Sequence, residues 1–233
     1  MLLTNKTLSE MVLENHQTAR VFEKYGLDFC CRGNQTLDSA CAEHSLPIET
    51  IQRELEALPE HPNAMREYLW DSPFLVDYIL NNHHNYIRQT LPSLREHLSK
   101  VLRVHSIRHP ELIRVGQLFE SVTADLEHHL LKEEIMLFPY IKELMNNRIV
   151  ISPFGSVRDP IEALENEHVD AGDTFAEIRS LLNNYQPPED ACTTMKVTYK
   201  ELQEFEQDLH EHVFLENTIL FPKAITKEKE LTS

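Results

Sequence analysis

Two segments of this chain carry the same residue types at the same offsets: His129-Leu-Leu-Lys-Glu133 with Leu137-Phe138-Pro139, and His212-Val-Phe-Leu-Glu216 with Leu220-Phe221-Pro222. The pattern H-x-x-x-E-x-x-x-L-F-P thus occurs twice, the mark of an internal repeat. An i,i+4 pair sets imidazole and carboxylate on one helix face a turn apart, where both reach one ion or two neighbouring ions. Each half also offers a lone histidine: His84 precedes His129 by 45 residues and His168 precedes His212 by 44. Burying two glutamates and four imidazoles without partners costs several kcal/mol, which a pair of divalent or trivalent cations offsets by neutralising the carboxylates and filling the nitrogen lone pairs. The expected metal ligands are His84, His129, Glu133, His168, His212 and Glu216.

The chain has thirteen histidines, and periodicity separates these four from the rest. His84 continues Val76, Leu80, Ile87, Leu91, Leu94 and Leu98 in steps of three and four, with His83 on the flank of that stripe. Four residues after His128 stands Lys132, and four after His210 stands Phe214, so both are expected behind the ligands or at the surface. His16, His44, His61, His97, His105 and His109 show no ligand spacing. The two Leu-Phe-Pro steps read as core contacts followed by a kink, without chemistry. Imidazole and carboxylate together suit iron, manganese, zinc or copper. The lack of thiolate argues against structural zinc, and two glutamates able to bridge favour two irons.

Such a set needs long helices to position it. Four amphipathic stretches, about 72–103, 110–146, 159–184 and 189–226, start at Ser72-Pro73, Pro110 and Asp159-Pro160 and predict an all-α four-helix bundle over 71–226. In the third, Ile161, Leu164, His168, Phe175, Ile178 and Leu182 form one stripe. In the fourth, His212 and Glu216 stand where a bundle would carry leucine. Before the bundle, prolines and weak apolar periodicity at 59–70 predict a linker. Residues 1–58 then form a small module of short helices: Thr7-Leu8-Ser9-Glu10 reads as a capping box, Gly26 as a stop, and Thr36 and Pro47 as starts.

Five glycines and 41% hydrophobic residues fit a helix-rich globular chain. A formal charge of −16 repels phosphate backbones and anionic lipids, so neither nucleic acid nor a membrane surface is an expected partner. The N-terminus reads as no secretory leader and no long apolar run occurs, giving an expectation of a cytoplasmic protein. Its cysteines, two adjacent and two scattered, form no disulfide framework.

The chain resembles the iron-sulfur cluster repair di-iron proteins, the repair-of-iron-centres family, which are built on a hemerythrin-like domain. The resemblance rests on His84, His129-x-x-x-Glu133, Glu167-His168-Val169-Asp170-Ala171-Gly172 and His212-x-x-x-Glu216, and on Tyr25-Gly26-Leu27-Asp28-Phe29-Cys30-Cys31-Arg32-Gly33 in the N-terminal module. It implies a cytoplasmic stress protein, often a homodimer, that restores clusters damaged by nitric oxide or oxidants, with damaged iron-sulfur proteins as clients. It also implies a non-haem di-iron centre in which Glu133 and Glu216 bridge the irons and the four histidines complete their shells. Oxygen-carrying hemerythrins have a fifth histidine. Without one, room is left for water, small diatomic ligands or an iron-exchange path. The expected role is iron donation or handling; the alternatives are a nitric oxide or peroxide reductase, which would make it an enzyme, or an oxygen or nitric oxide sensor.

Adjacent cysteines close only a strained ring, so Cys30 and Cys31 read as redox or iron-transfer thiols rather than as a structural disulfide, the alternative being two small buried residues at a turn. Arg32 and the following helix start are expected to favour thiolate there. Cys41 and Cys192 read as ordinary thiols.

Overall fold

The computed structural model describes residues 5–59, 69–147 and 154–232, and its fold is all-α. Four short helices come first: α1 Leu8–Glu14, α2 Thr18–Tyr25, α3 Leu37–Glu43 and α4 Ile48–Glu56. The capping box at Thr7 and Glu10 forms in both directions, Thr36 Oγ1 accepts from the Ser39 N–H, Pro47 precedes α4, and Gly26 ends α2 at φ 68°. Most of the expected linker, residues 60–68, lies outside the described residues.

Four rods follow. The first is α5 Ser72–Ile79, a π-turn Leu80–His84 and α6 Asn85–His105. The second is α7 Glu111–Lys132, a π-turn Glu133–Leu137 and α8 Phe138–Met145. The third is α9 Arg158–Leu181 alone, and the fourth is α10 Thr193–Phe214, a π-turn Leu215–Leu220 and α11 Phe221–Thr232. Asp71 caps the first rod through the Phe74 N–H at 2.8 Å, with Pro73 in its first turn. The third ends earlier than expected because Asn183, Asn184 and Tyr185 all take positive φ, which a right-handed helix cannot continue. The fourth runs past 226, and Glu228 near its end accepts from Tyr140 Oη, Ser156 Oγ and the Val157 N–H, tying it to the start of α9.

The first and fourth rods pack along α6 and α10, the second and third along α7 and α9. Phe205 on α10 meets Phe119 on α7 at 6.3 Å and Phe175 on α9 at 5.7 Å between ring centroids. Each such fully buried side chain contributes roughly 1.5–3 kcal/mol. That is the framework on which polar groups are held inside.

The π-turns have local causes. Pro139 and Pro222 bring no N–H to the ladder and crowd the carbonyl four residues back, so the turns before them widen. In the first rod the side-chain amides of Asn81 and Asn82 bond the carbonyls of Asp77 and Tyr78 at 2.7 and 2.8 Å, competing with the backbone for them. Leu137, Phe138, Leu220 and Phe221 are buried core contacts as expected. The irregularity, however, precedes each proline rather than following it.

The N-terminal module lies against the third and fourth rods. Phe29 packs on Phe214 at 5.9 Å and on the His210 ring at 6.2 Å, and Arg32 pairs with Asp173 at 2.8 Å.

Candidate metal centre

The six expected ligands converge in the bundle interior, all of them buried. They form two overlapping groups of donors, each within 4.8 Å: His84, His212, Glu133 and Glu216, and His129, His168, Glu133 and Glu216. Each group takes one histidine from each half of the repeat, so the two histidines of a half are divided between the groups while both glutamates belong to each. Glu133 turns Oε2 towards His84 Nε2 at 3.4 Å and Oε1 towards His129 Nε2 at 3.3 Å. Glu216 turns Oε1 towards His212 Nε2 at 2.9 Å and Oε2 towards His168 Nε2 at 3.3 Å. Within each group the imidazoles face each other through Nε2, at 3.2 Å for His84 and His212 and 2.9 Å for His129 and His168.

Three of these carboxylate oxygens, both of Glu133 and Oε2 of Glu216, are buried without a donor in hydrogen-bonding geometry. Such groups are rare in folded proteins. Four nitrogens and four carboxylate oxygens aimed at two common centres fit a pair of cations, with no sulfur in the set.

Without cations the charges sort themselves into ion pairs. Burial disfavours a charged His84, but Glu133 and Glu216 outweigh it and hold its pKa up at about 10. His129 is likewise held at about 10, against burial, by Glu133 and then Glu167. Burial pushes Glu133 and Glu216 upward, and Glu216 pushes Glu133 further, yet the imidazoles prevail: Glu133 lies below its usual value and Glu216 well below. Burial pushes His212 down.

Behind the ligands stand groups that the sequence reading did not assign. Glu134 accepts from His84 Nδ1 at 2.7 Å, Glu167 from His129 Nδ1 at 2.9 Å, and Asn217 Oδ1 from His168 Nδ1 at 2.9 Å. Each holds the tautomer that leaves Nε2 free for a metal. Hydrogen bonding from His129 draws Glu167 down to about 2, and Lys132 pairs with the same carboxylate. Glu134 and Asn217 both follow the glutamate of their motif, so comparison of the two repeats was a signal that could have found them. Phe138 stacks over His84 at 5.6 Å and Phe221 over His168 at 6.2 Å, so the Leu-Phe-Pro steps cover the lone histidines.

His83 is not in either group but is buried rather than lateral: its Nδ1 meets Asp208 at 3.0 Å and its ring stacks on His212 at 5.5 Å. His128 is exposed. His210 lies under Phe29, where burial pushes its pKa to about 4. A cleft of about 340 Å³, lined by His129, His168, Asp125, Lys132 and Thr174, reaches the outer edge of one histidine pair.

Cys30 and Cys31 sit at the contact between the N-terminal module and α9, their sulfurs 3.7 Å apart and unbonded. Asp28 Oδ1 accepts from the Cys30 and Cys31 N–H groups at 3.0 and 2.8 Å and from the Cys30 thiol at 3.2 Å. The Cys31 thiol donates to the His168 carbonyl at 3.2 Å, and Asn217 Nδ2 donates to the Cys30 carbonyl at 3.2 Å. The expected favouring of thiolate is not found at Cys30. Its neighbour thiol, burial and the Asp28 charge all raise its pKa well above the usual value, while Arg32 is spent on Asp173 and the next helix starts only at Leu37. Cys41 is buried and Cys192 exposed, both free.

Among the described residues no helix is long and apolar enough to cross a membrane. Residues 75–224 match the Hemerythrin HHE cation binding domain, and residues 4–59 match ScdA_N, a domain of unknown function. The chain is 35% identical to the iron-sulfur cluster repair protein YtfE of Citrobacter koseri, over 96% of this chain and 98% of that one. It is 33% identical to the iron-sulfur cluster repair protein ScdA of Staphylococcus haemolyticus, over 95% and 99%. With YtfE of an Escherichia coli strain the identity is 36% over 96% and 98%. With a hemerythrin-type bundle preceded by a paired-cysteine module, and with likeness over nearly its whole length, the chain belongs to the iron-sulfur cluster repair family of hemerythrin-domain proteins.

Proposed function

We propose that this protein is a di-iron protein that repairs damaged iron-sulfur clusters by holding and supplying iron, with His84 and His212 on one iron, His129 and His168 on the other, and Glu133 and Glu216 bridging. The observation that carries this reading is the orientation of the two glutamates, each of which turns one oxygen to each histidine pair while buried with unmet hydrogen-bonding capacity. When bound, the irons supply Lewis-acid and redox chemistry. The chain itself fixes the imidazole tautomers through Glu134, Glu167 and Asn217, and covers the lone histidines with Phe138 and Phe221. His129 and His168 border a cleft, which supports exchange of iron, as cargo, from that side.

The names of the relatives, which are iron-sulfur cluster repair proteins, support the same role. On this reading damaged iron-sulfur proteins are the clients, the setting is the cytoplasm, and the chain divides into a paired-cysteine module at 1–58 and the bundle at 71–226. Incubating the iron-loaded protein with an iron-sulfur enzyme stripped of its cluster tests it: activity should return beyond the level given by the same amount of free ferrous iron. Equal recovery from both would count against iron supply.

A further inference from the structure

Cys30 and Cys31 lie outside the six-ligand set, and their surroundings are more organised than two small residues at a turn require. Gly33 cannot carry a side chain, since a Cβ there would stand 2.1 Å from the Phe29 carbonyl oxygen, so the loop over Phe29–Gly33 is tightly closed. Both cysteine N–H groups are tied to Asp28 Oδ1, which leaves the two sulfurs on the same side. At Gly172, in the interior of α9, a Cβ would meet Cys31 Sγ at 3.2 Å and Asp28 Oδ2 at 3.8 Å. Glycine inside a helix costs about 1 kcal/mol relative to alanine. Here it leaves open the space beside Asp28 and Cys31.

We propose that Asp28, Cys30 and Cys31 form a third cation site, separate from the dinuclear centre, for a borderline divalent ion such as ferrous iron or zinc. The spacing fits. Two thiolates on one tetrahedral ion at about 2.3 Å stand about 3.8 Å apart, and a thiolate and a carboxylate oxygen about 3.5 Å. The sulfurs are 3.7 Å apart, Cys30 Sγ is 3.2 Å from Asp28 Oδ1, and one donor atom from each residue lies within 4.8 Å of the others. Binding replaces two S–H bonds by two metal–sulfur bonds and releases two protons. Two thiolates and one carboxylate then surround a divalent ion with one negative charge in excess, and the fourth position stays open, as exchangeable sites require.

The site is reachable. Both cysteines line a cleft of about 690 Å³ together with Glu10, Glu162, Glu165 and Asn217, a mouth rich in carboxylates that attracts cations. It also touches the dinuclear centre through bonds already described: Cys31 donates to the backbone of His168, and Asn217 spans the Cys30 carbonyl and the His168 ring. The third site is thus a staging position for iron between solvent and the His129–His168 side. It rests on the iron-supply reading for its role, but not for its existence.

Cobalt(II) is the probe, because thiolate-to-cobalt charge transfer in the near ultraviolet reports sulfur ligation alone, whatever fills the histidine cluster. Full-length, iron-loaded protein kept anaerobic should bind one further equivalent of cobalt with that band. Cys30→Ser with Cys31→Ser should lose the band and keep the two irons. Asp28→Asn and Gly172→Ala, which keep both thiols, should each weaken cobalt binding about tenfold with unchanged circular dichroism. Absence of the band in the wild-type protein, its survival in the double serine variant, or unchanged affinity in both thiol-retaining variants would overturn the proposal. None of these results depends on whether the protein reactivates a client enzyme.

Discussion

The two halves of the bundle bring the same three donors but differ in what stands behind the lone histidine. His84, at the end of a π-turn, is held by the carboxylate of Glu134, which Arg88 also pairs at 2.7 Å. His168, on a regular helix, is held by the neutral amide of Asn217, whose other end is bonded to the cysteine loop. The first histidine is 0% exposed and the second 3%, beside a cleft. An ionised partner raises imidazole basicity more than an amide does. The repeat therefore builds matched donors with unmatched support, and on the proposed di-iron reading the His129–His168 side is the one set up for exchange.

The largest expected effect erases the comparison altogether. Glu133→Ala with Glu216→Ala removes both bridges and should abolish binding of both irons in metal analysis; two irons retained would refute the ligand set. Next comes the support. Glu134→Gln and Glu167→Gln should each weaken iron binding about 10–100-fold in chelator competition, since a partner that orients a metal-bound histidine contributes on that scale. Asn217→Ala should cost less than Glu134→Gln, and the opposite ranking would reverse the assignment of the weaker half.

The third effect is a pH dependence. His84 and His129 are held near pKa 10 in the metal-free fold against 6.5 for an ordinary histidine, so the native state binds protons there that the unfolded chain does not. Their contribution to stability is full below 6.5 and is lost as pH rises through about 10. Metals need those nitrogens bare, so loading at neutral pH should release about one proton per ion, one from each donor group, and tighten as pH rises. Calorimetry in buffers of different ionisation enthalpy measures this, and zero proton release would contradict the ion-paired metal-free state. The smallest effect lies in the covers: Phe138→Leu and Phe221→Leu should each cost under about 1.5 kcal/mol in thermal unfolding. A much larger loss at either would show that its ring does more than pack.

The convergence of the six buried donors was legible because a buried histidine or glutamate on an apolar stripe breaks periodicity in a way that only a partner explains. Thr7, Gly26, Thr36 and Pro47 were legible because caps are local. Other features were not. A π-turn uses the same apolar spacing as the α-helix around it, and its causes, a later proline or competing asparagines, also occur in regular helices. The division of each half's two histidines between the two donor groups depends on how the rods pack, which spacing along one rod does not contain. Adjacency in sequence points Arg32 at the thiols, but its length carries the guanidinium to Asp173 on α9. Periodicity puts His83 on the flank of the stripe, yet the packing of α10 buries it against His212.

That division is the central claim, and paired substitutions with an iron count by Mössbauer spectroscopy test it most directly. His84→Ala and His212→Ala act on one ion, so the double variant should retain one iron. His84→Ala with His129→Ala acts on both ions and should retain none. One iron kept in the second variant and none in the first would contradict the account.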